Sequence, residues 1–250
     1  MKRRKILSRS EKAIIEQLLK QGRPREAVDH GISISEWISN NAKISEGRVA
    51  AYLANLSRTK NGVLIIETTF ESREHMSEAK HLRELLRIYN WNGTTKSYIA
   101  RVRSKKEFLE RLAAAKQWTV HISAHGKYVG RNKTILSTGI WSETSSEEFR
   151  TLWINKKHRL PKLMVMSACE AGHQDMANAL SDAGFKHFIA PLHETEWHDA
   201  AVFNTLFYYY YSASGLSARQ AFQATKKKAP NLTGVWSYFE NGRKKNSMNS

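Results

Sequence analysis

The run LMVMSACEAG, residues 163–172, holds the only cysteine of the 250-residue chain, Cys169. Four apolar residues, Leu163 to Met166, give way at once to small and polar ones. A short continuous apolar run fits a strand buried on both faces, as in a parallel sheet covered by helices. Ala168 and Ala171 leave the strand end open around the thiol, and Gly172 closes the segment. One cysteine excludes an internal disulfide and a cysteine-rich zinc site, and a lone thiol fits a reducing, cytoplasmic setting. A single free cysteine is more often an inert core residue than a reagent. Its meaning therefore depends on what the fold places beside it.

The flanking sequence supplies that fold. VLII (63–66) reads as a buried strand, and SREHMSEAKHLRELLRIY sets Met76, Ala79, Leu82, Leu86 and Tyr89 at helical spacing. SYIARVR alternates like a strand, and Ser104 with Glu107 three residues on is a capping-box signature for the next helix. WTVHISAHG is a strand ending in glycine, RNKTILSTG a small hairpin, TSSEEFRTLW a capped helix, QDMANALSDAG a helix and KHFIA a strand. HDAAVFNTLFYYYYSAS and SARQAFQATKKK close the chain as helices. This alternation predicts an α/β fold, a mostly parallel sheet with helices on both faces. Residues 1–61 read instead as a small basic helical segment, with the boundary to a domain over 62–250 in SRTKNG. There, SRSEKAIIEQLLKQG has Ser10 as N-cap and Gly22 as stop, and ISISEWISNNAKISEGRVAAYLANLS gives two more short helices.

In a parallel sheet the carboxyl ends of the strands share one edge, where functional groups gather. WTVHISAHG brings His125 to that edge and LMVMSACEAG brings Cys169. If the two strands are neighbours, an imidazole and a thiol meet without proximity in sequence. Only the thiolate attacks carbonyls well. A histidine beside it takes the proton and later returns it to the leaving amine. Gly126, with no Cβ, lets its N–H approach a substrate, and the Cys169 N–H is the natural second donor to an oxyanion. His121 and Ser123 share the His125 side of their strand by alternation; a packed structural role is the favoured reading for both. His121 and His125 are four apart on a strand, not on a helix, so they do not form the helical metal pair. No metal and no cofactor is expected, and the FYYYY stripe with seven tryptophans reads as core and rim packing.

These residues resemble the caspase-like peptidases, most closely the CHAT-domain branch. An Ala-Cys pair with a histidine about 50 residues upstream is the caspase pattern, and here His125 precedes Cys169 by 44 positions. The likeness covers residues 62–242, from VLIIETTFESREHMSEAKHLRELL to the tail GVWSYFENG. It implies a caspase-like fold and a cysteine endopeptidase with a His125–Cys169 dyad, an oxyanion hole from the N–H groups of Gly126 and Cys169, and no required third residue. Ser167, two before the nucleophile, stands where relatives often carry Gln or Asp in the primary specificity pocket. Glu194, Glu196 and Asp199 fall where some relatives keep an acidic residue for a basic P1 side chain, although Asp199 also suits the N-cap of a helix beginning near Ala200. Arg73 resembles the pocket arginine of caspases and would select an acidic P1. The basic P1 reading is the favoured one. The resemblance also implies a regulated role in a prokaryotic defence or conflict system, with a partner protein as substrate and an activating partner docking on residues 1–61.

The formal net charge of +17 makes a polyanion a live partner. Residues 1–60 carry 13 Lys/Arg against 6 Asp/Glu, and residues 226–250 carry 6 against 1, so the ends are basic and the body is nearly balanced. The alternative to a peptidase is thus an inactive caspase-like fold acting as a basic nucleic-acid-binding or protein-interaction regulator, its three N-terminal helices serving as a helix-turn-helix reader. An intact His-Gly and Ala-Cys-x-x-Gly pair favours the enzyme. No stretch has the roughly 18 apolar residues of a membrane span, and no apolar run follows the basic start MKRRKILSRSEK, so no secretory signal is read.

Overall fold

A computed structural model describes residues 7–21, 32, 34–59, 62–68, 77–89, 96–130, 133–139, 142–152 and 161–245. The chain opens with α1 (Arg9–Gln21), α2 (Ile34–Ala42) and α3 (Glu46–Thr59). Ile15, Ile38, Ile44, Val49 and Leu53 close on one another as a core of their own, capped by Leu7. The cap of α1 is Ser8, not Ser10: its hydroxyl accepts from the Glu11 N–H at 3.1 Å, and the Glu11 carboxylate accepts the Ser8 N–H at 2.7 Å. The reciprocal spacing of a capping box selects this pair. Gly22 lies outside the described residues.

The body alternates as the sequence predicts: β1 (Val63–Thr68), α4 (Glu78–Tyr89), β2 (Ser97–Val102), α5 (Lys105–Ala113) and β3 (Thr119–Ser123). A small antiparallel sheet follows, β4 (Gly126–Tyr128), β5 (Thr134–Gly139) and β6 (Ser142–Ser145), so the expected hairpin is a three-stranded unit. Then come α6 (Ser146–Thr151), β7 (Leu163–Ser167), α7 (Gln174–Asp182), β8 (His187–Pro191) and α8 (Trp197–Tyr208), which runs on as a π-helical turn over Tyr209–Ala213. The chain closes with α9 (Ala218–Lys228), α10 (Pro230–Thr233), β9 (Trp236–Glu240) and β10 (Arg243–Lys244). Ser104 caps α5 as expected, its hydroxyl accepting the Glu107 N–H. Glu107 reaches back to the Arg103 N–H at 3.0 Å. Among the described residues no helix is long and apolar enough to cross a membrane.

The main sheet has seven strands in the order β10-β9-β8-β7-β3-β1-β2, with β2, β1, β3, β7 and β8 parallel. Alternation along each strand sorts side chains between two cores. Val120, Ile122, Met164 and Met166 pack under α5, α6 and α7, against Phe108, Phe149 and Leu180. Val63, Ile65, Leu163 and Val165 pack under α4, α8 and α9, against Leu82, Phe203 and Phe222. Phe203 stacks flat on Trp236 of β9 with ring centroids 3.8 Å apart. The tail GVWSYFENG is therefore an antiparallel strand that closes the second core.

Candidate active site

β3 and β7 are neighbours in parallel register, with Ser123 opposite Ser167. His125 and Cys169 each stand two residues beyond that pair, at the carboxyl edge of adjacent central strands. The two turns touch. A Cβ on Gly126 would come within 2.4 Å of the Cys169 carbonyl oxygen and 3.2 Å of the Ala168 Cβ, so only glycine fits. His125 is exposed and Cys169 half-buried.

The direction of the Gly126 N–H follows from the β4–β5 ladder. Ser137 donates to the His125 carbonyl at 2.9 Å, which makes 125/137 a hydrogen-bonded pair and the next opposed residues, Gly126 and Leu136, a non-bonded one. The Gly126 N–H thus points away from β5. Tyr128, two residues on with the same orientation, donates its N–H to the Glu170 carboxylate at 2.9 Å. Both N–H groups face the loop that carries Cys169.

That loop is a β-turn, closed by the Ala171 N–H on the Ala168 carbonyl at 3.2 Å. Cys169 takes its projecting second position. Glu170, third, has φ +55°, a left-handed conformation usually left to glycine. Backbone strain of this kind persists where surrounding contacts over-determine it. Here the Glu170 N–H meets the His193 carbonyl at 3.4 Å, its carboxylate holds Tyr128, and the Gly172 N–H donates to Pro191 at 2.7 Å. Gly172 is also packed tight, since a Cβ would meet the Ala190 and Pro191 carbonyl oxygens at 2.7 and 2.8 Å. The Cys169 thiol donates to the Thr195 carbonyl at 3.7 Å.

Thr195 belongs to the segment between β8 and α8, which brings Glu194 and Glu196 to the rim beside the thiol. Both are exposed, and neither carboxylate makes a hydrogen bond or ion pair with a described residue. Asp199 lies further on, in the first turn of α8, 3.5 Å from the His198 Nε2. It is not the N-cap: the helix begins at Trp197, so the cap position falls to Glu196. Arg73 lies outside the described residues.

Beneath this edge sits a buried polar cluster that sequence reading divided among separate segments. Glu78, from the first turn of α4, lies against the Asn204 Nδ2 of α8, which also donates to the Ser167 Oγ at 2.8 Å. The His121 Nε2 is 3.4 Å from the Glu78 carboxylate, and its Nδ1 is 3.2 Å from the Tyr208 hydroxyl. His121, Ser123, Glu78 and Asn204 are all buried. Glu67, also buried, accepts from Ser77 and from the Arg101 guanidinium at 3.0 Å. His121 and Ser123 therefore play the structural part expected of them. Burial pushes the Glu78 carboxyl up, but the His121 ring and the hydroxyls of Ser123 and Ser167 more than reverse this and hold it below the usual carboxylate range. An unfolded chain takes up this proton near the ordinary value of 4.5, the native chain only at lower pH. Acid therefore favours unfolding. Stability is expected to hold above about pH 4.5 and to decline as pH falls through the depressed native value. Denaturant titrations between pH 3 and pH 7 check this: Glu78→Gln should flatten the acid decline, and an unchanged decline in the variant contradicts the assignment.

Among the described residues no group of three or more His, Cys, Asp or Glu is placed to hold a metal ion. The crystal structure of the Drosophila initiator caspase Dronc is similar to this chain with TM-score 0.50 at 12% identity, covering 76% of this chain and 84% of that one. At that identity the likeness is one of fold. No curated protein sequence matches the chain. The sequence profile of the CHAT domain matches residues 13–235, spanning α1–α3 as well as the α/β body. A caspase-like α/β sheet and a CHAT match over most of its length together show that this chain belongs to the CHAT domain family.

Proposed function

We propose that the chain is a cysteine endopeptidase in which His125 draws the proton from Cys169 and the thiolate attacks a peptide carbonyl. The observation that carries this reading is the contact of the Gly126 turn with the Cys169 carbonyl, across neighbouring parallel strands. The N–H groups of Gly126 and Cys169 receive the developing oxyanion, and the imidazolium then protonates the leaving amine. The acyl-enzyme is hydrolysed by a water that His125 activates in turn. The exposed carboxylates of Glu194 and Glu196 beside the thiol, without partners among the described residues, support Lys or Arg at P1. The substrate is a partner protein, in keeping with a cytoplasmic prokaryotic defence or conflict system, and residues 1–61 are the docking unit for an activating partner. The three helices give little support to a DNA reader, because α2 has no Lys or Arg and Arg48 of α3 is held 2.8 Å from Glu11.

A peptide library randomised around the scissile bond tests the proposal, with the purified chain, Cys169→Ala and Glu194→Ala assayed side by side. Turnover of P1-Lys and P1-Arg peptides is expected, at least about tenfold above P1-Asp, with the margin narrowed in Glu194→Ala. Cleavage that persists in Cys169→Ala removes the assigned nucleophile, and a P1-Asp preference removes the acidic rim as the selector.

A further inference from the structure

The amino edge of the seven-stranded sheet, opposite the candidate active site, carries a row of cations set by strand register. Lys96, Lys162 and Lys186 each stand immediately before a parallel strand, β2, β7 and β8, and Lys116 lies three residues before β3. Arg243 and Lys244 form the outermost strand, with Arg243 at the level of Glu240 and His187. Backbone bonds hold neighbours side by side. The N–H groups of Lys186 and His187 both donate to the Lys162 carbonyl, at 3.1 and 2.9 Å, and the Lys162 N–H donates to the Trp118 carbonyl at 2.7 Å. The Val63 N–H meets the Lys96 carbonyl at 2.9 Å. With strands ~4.8 Å apart, the row crosses seven strands over about 29 Å. Lys96, Lys116, Lys186, Arg243 and Lys244 are exposed and Lys162 is half-buried. The carboxylate that answers them among the described residues is Glu240, 3.9 Å from the Lys186 Nζ and 4.0 Å from the His187 Nδ1.

One exposed ring, Tyr209, and two half-buried ones, Tyr89 and Tyr210, lie beside this row. α4 and α8 both run from the carboxyl edge to the amino edge, so Ile88 and Tyr89 at one end, and Tyr209 and Tyr210 at the other, arrive there together. Tyr89 meets Tyr209 edge-on with centroids 5.8 Å apart, and Tyr209 meets Tyr210 at 5.2 Å. The Tyr211 hydroxyl is 3.4 Å from the Thr119 Oγ1, on the first residue of β3. That fixes the cluster one strand from Lys162. Core packing accounts for Tyr208, which is fully buried, but not for Tyr209 or Ile88, which remain 44% and 68% exposed.

We propose that this amino edge binds single-stranded nucleic acid, the lysine row holding successive phosphates and the Tyr89–Tyr209 pair offering a face on which a base stacks. A polyanion without bases uses the lysines and gains nothing from the tyrosines. A duplex keeps its bases stacked inside, whereas a single strand engages both features. The opposite edge supports the orientation: Glu170 follows the thiol in its turn, Glu194 and Glu196 flank the Thr195 whose carbonyl meets the thiol, and these carboxylates repel phosphate. The two ends of one sheet thus take different partners, and this surface stands whether or not Cys169 attacks a peptide bond.

Fluorescence anisotropy with the full chain tests the surface, using labelled single-stranded RNA and DNA of about 20 nucleotides, the matching duplex, and heparin as a base-free polyanion. Single strands should bind tightest, with affinity falling steeply as salt rises. The triple variant Lys96→Glu, Lys162→Glu, Lys186→Glu should weaken binding more than about tenfold and lower the slope of log K against log salt by about 2, because each phosphate neutralised on a single strand contributes ~0.7 to that slope. Tyr209→Ala should weaken single-strand binding about tenfold and leave that slope unchanged. The control triple Arg9→Glu, Lys12→Glu, Lys43→Glu changes charge equally on the helical unit and should bind like the parent. If the first triple melts early, Lys→Gln at the same three positions removes the same charges and should show the same change of slope. Equal loss in both triples, no loss in the first, no effect of Tyr209→Ala, or heparin or duplex binding as tight as the single strand, each overturns the proposal.

Discussion

Cys169→Ala is expected to lower peptide cleavage by on the order of 10⁴-fold or more while leaving the fold in place. Alanine offers no lone pair for attack, so what remains is water aided by the oxyanion donors and by substrate binding. The structural cost is small for a definite reason. Cys169 is half-buried, and its side chain contributes one weak sulfur hydrogen bond, to the Thr195 carbonyl at 3.7 Å. Removing such a bond costs at most about 1 kcal/mol, or roughly 2–4 °C in Tm for a chain of this size. Thermal melting and turnover of the best library peptide, measured together, separate the two effects. A variant that melts like the parent but keeps a tenth of its activity would mean that the reacting group lies elsewhere.

The second large effect is expected at Gly126. A methyl group there meets the Cys169 carbonyl at 2.4 Å, closer than side chains ever approach. The His125 turn and the Cys169 turn must then separate by about 1 Å, a displacement that can cost 10²-fold in rate. The Gly126 N–H is also drawn off the oxyanion position, worth another factor of about 10²–10³ where such donors are removed. Gly126→Ala should therefore reduce kcat/KM by at least about 10²-fold, mostly in kcat. Iodoacetamide reacts with the thiolate, so drawing His125 away from the sulfur should slow labelling as well as turnover. Labelling at the parent rate with slowed turnover would confine the damage to the oxyanion donor, and turnover at the parent rate would overturn the prediction.

The layout of the sheet was readable because burial on both faces leaves a plain mark. VLII and LMVM are apolar at every position, and the helices between them repeat their apolar residues at helical spacing. The tip positions of His125 and Cys169 followed from those strands. What escaped reading depends on partners far apart in the chain. Asn204 joins Glu78 across 126 positions, and nothing local in either segment marks the contact. β9 alternates Trp236 and Tyr238 with Ser237 and Phe239, but its place at the sheet edge comes from pairing with β8. The left-handed Glu170 is a different kind of gap. Sequence preference would put glycine there, and the contacts to Tyr128 and His193 hold glutamate instead. The cap of α1 was within reach: Glu11 is three residues from Ser8, not from Ser10.

The order of the strands has a consequence for biosynthesis. β7 lies between β8 and β3, and the small sheet and α6 separate it in sequence from β3, so the β3–β7 pairing closes a long loop and is slow to form. Until it does, the histidine and the sulfur sit on unconnected stretches of chain. On the proposed dyad, a nascent or half-assembled copy has no paired thiol and imidazole, so cleavage would begin only once β3 and β7 have joined.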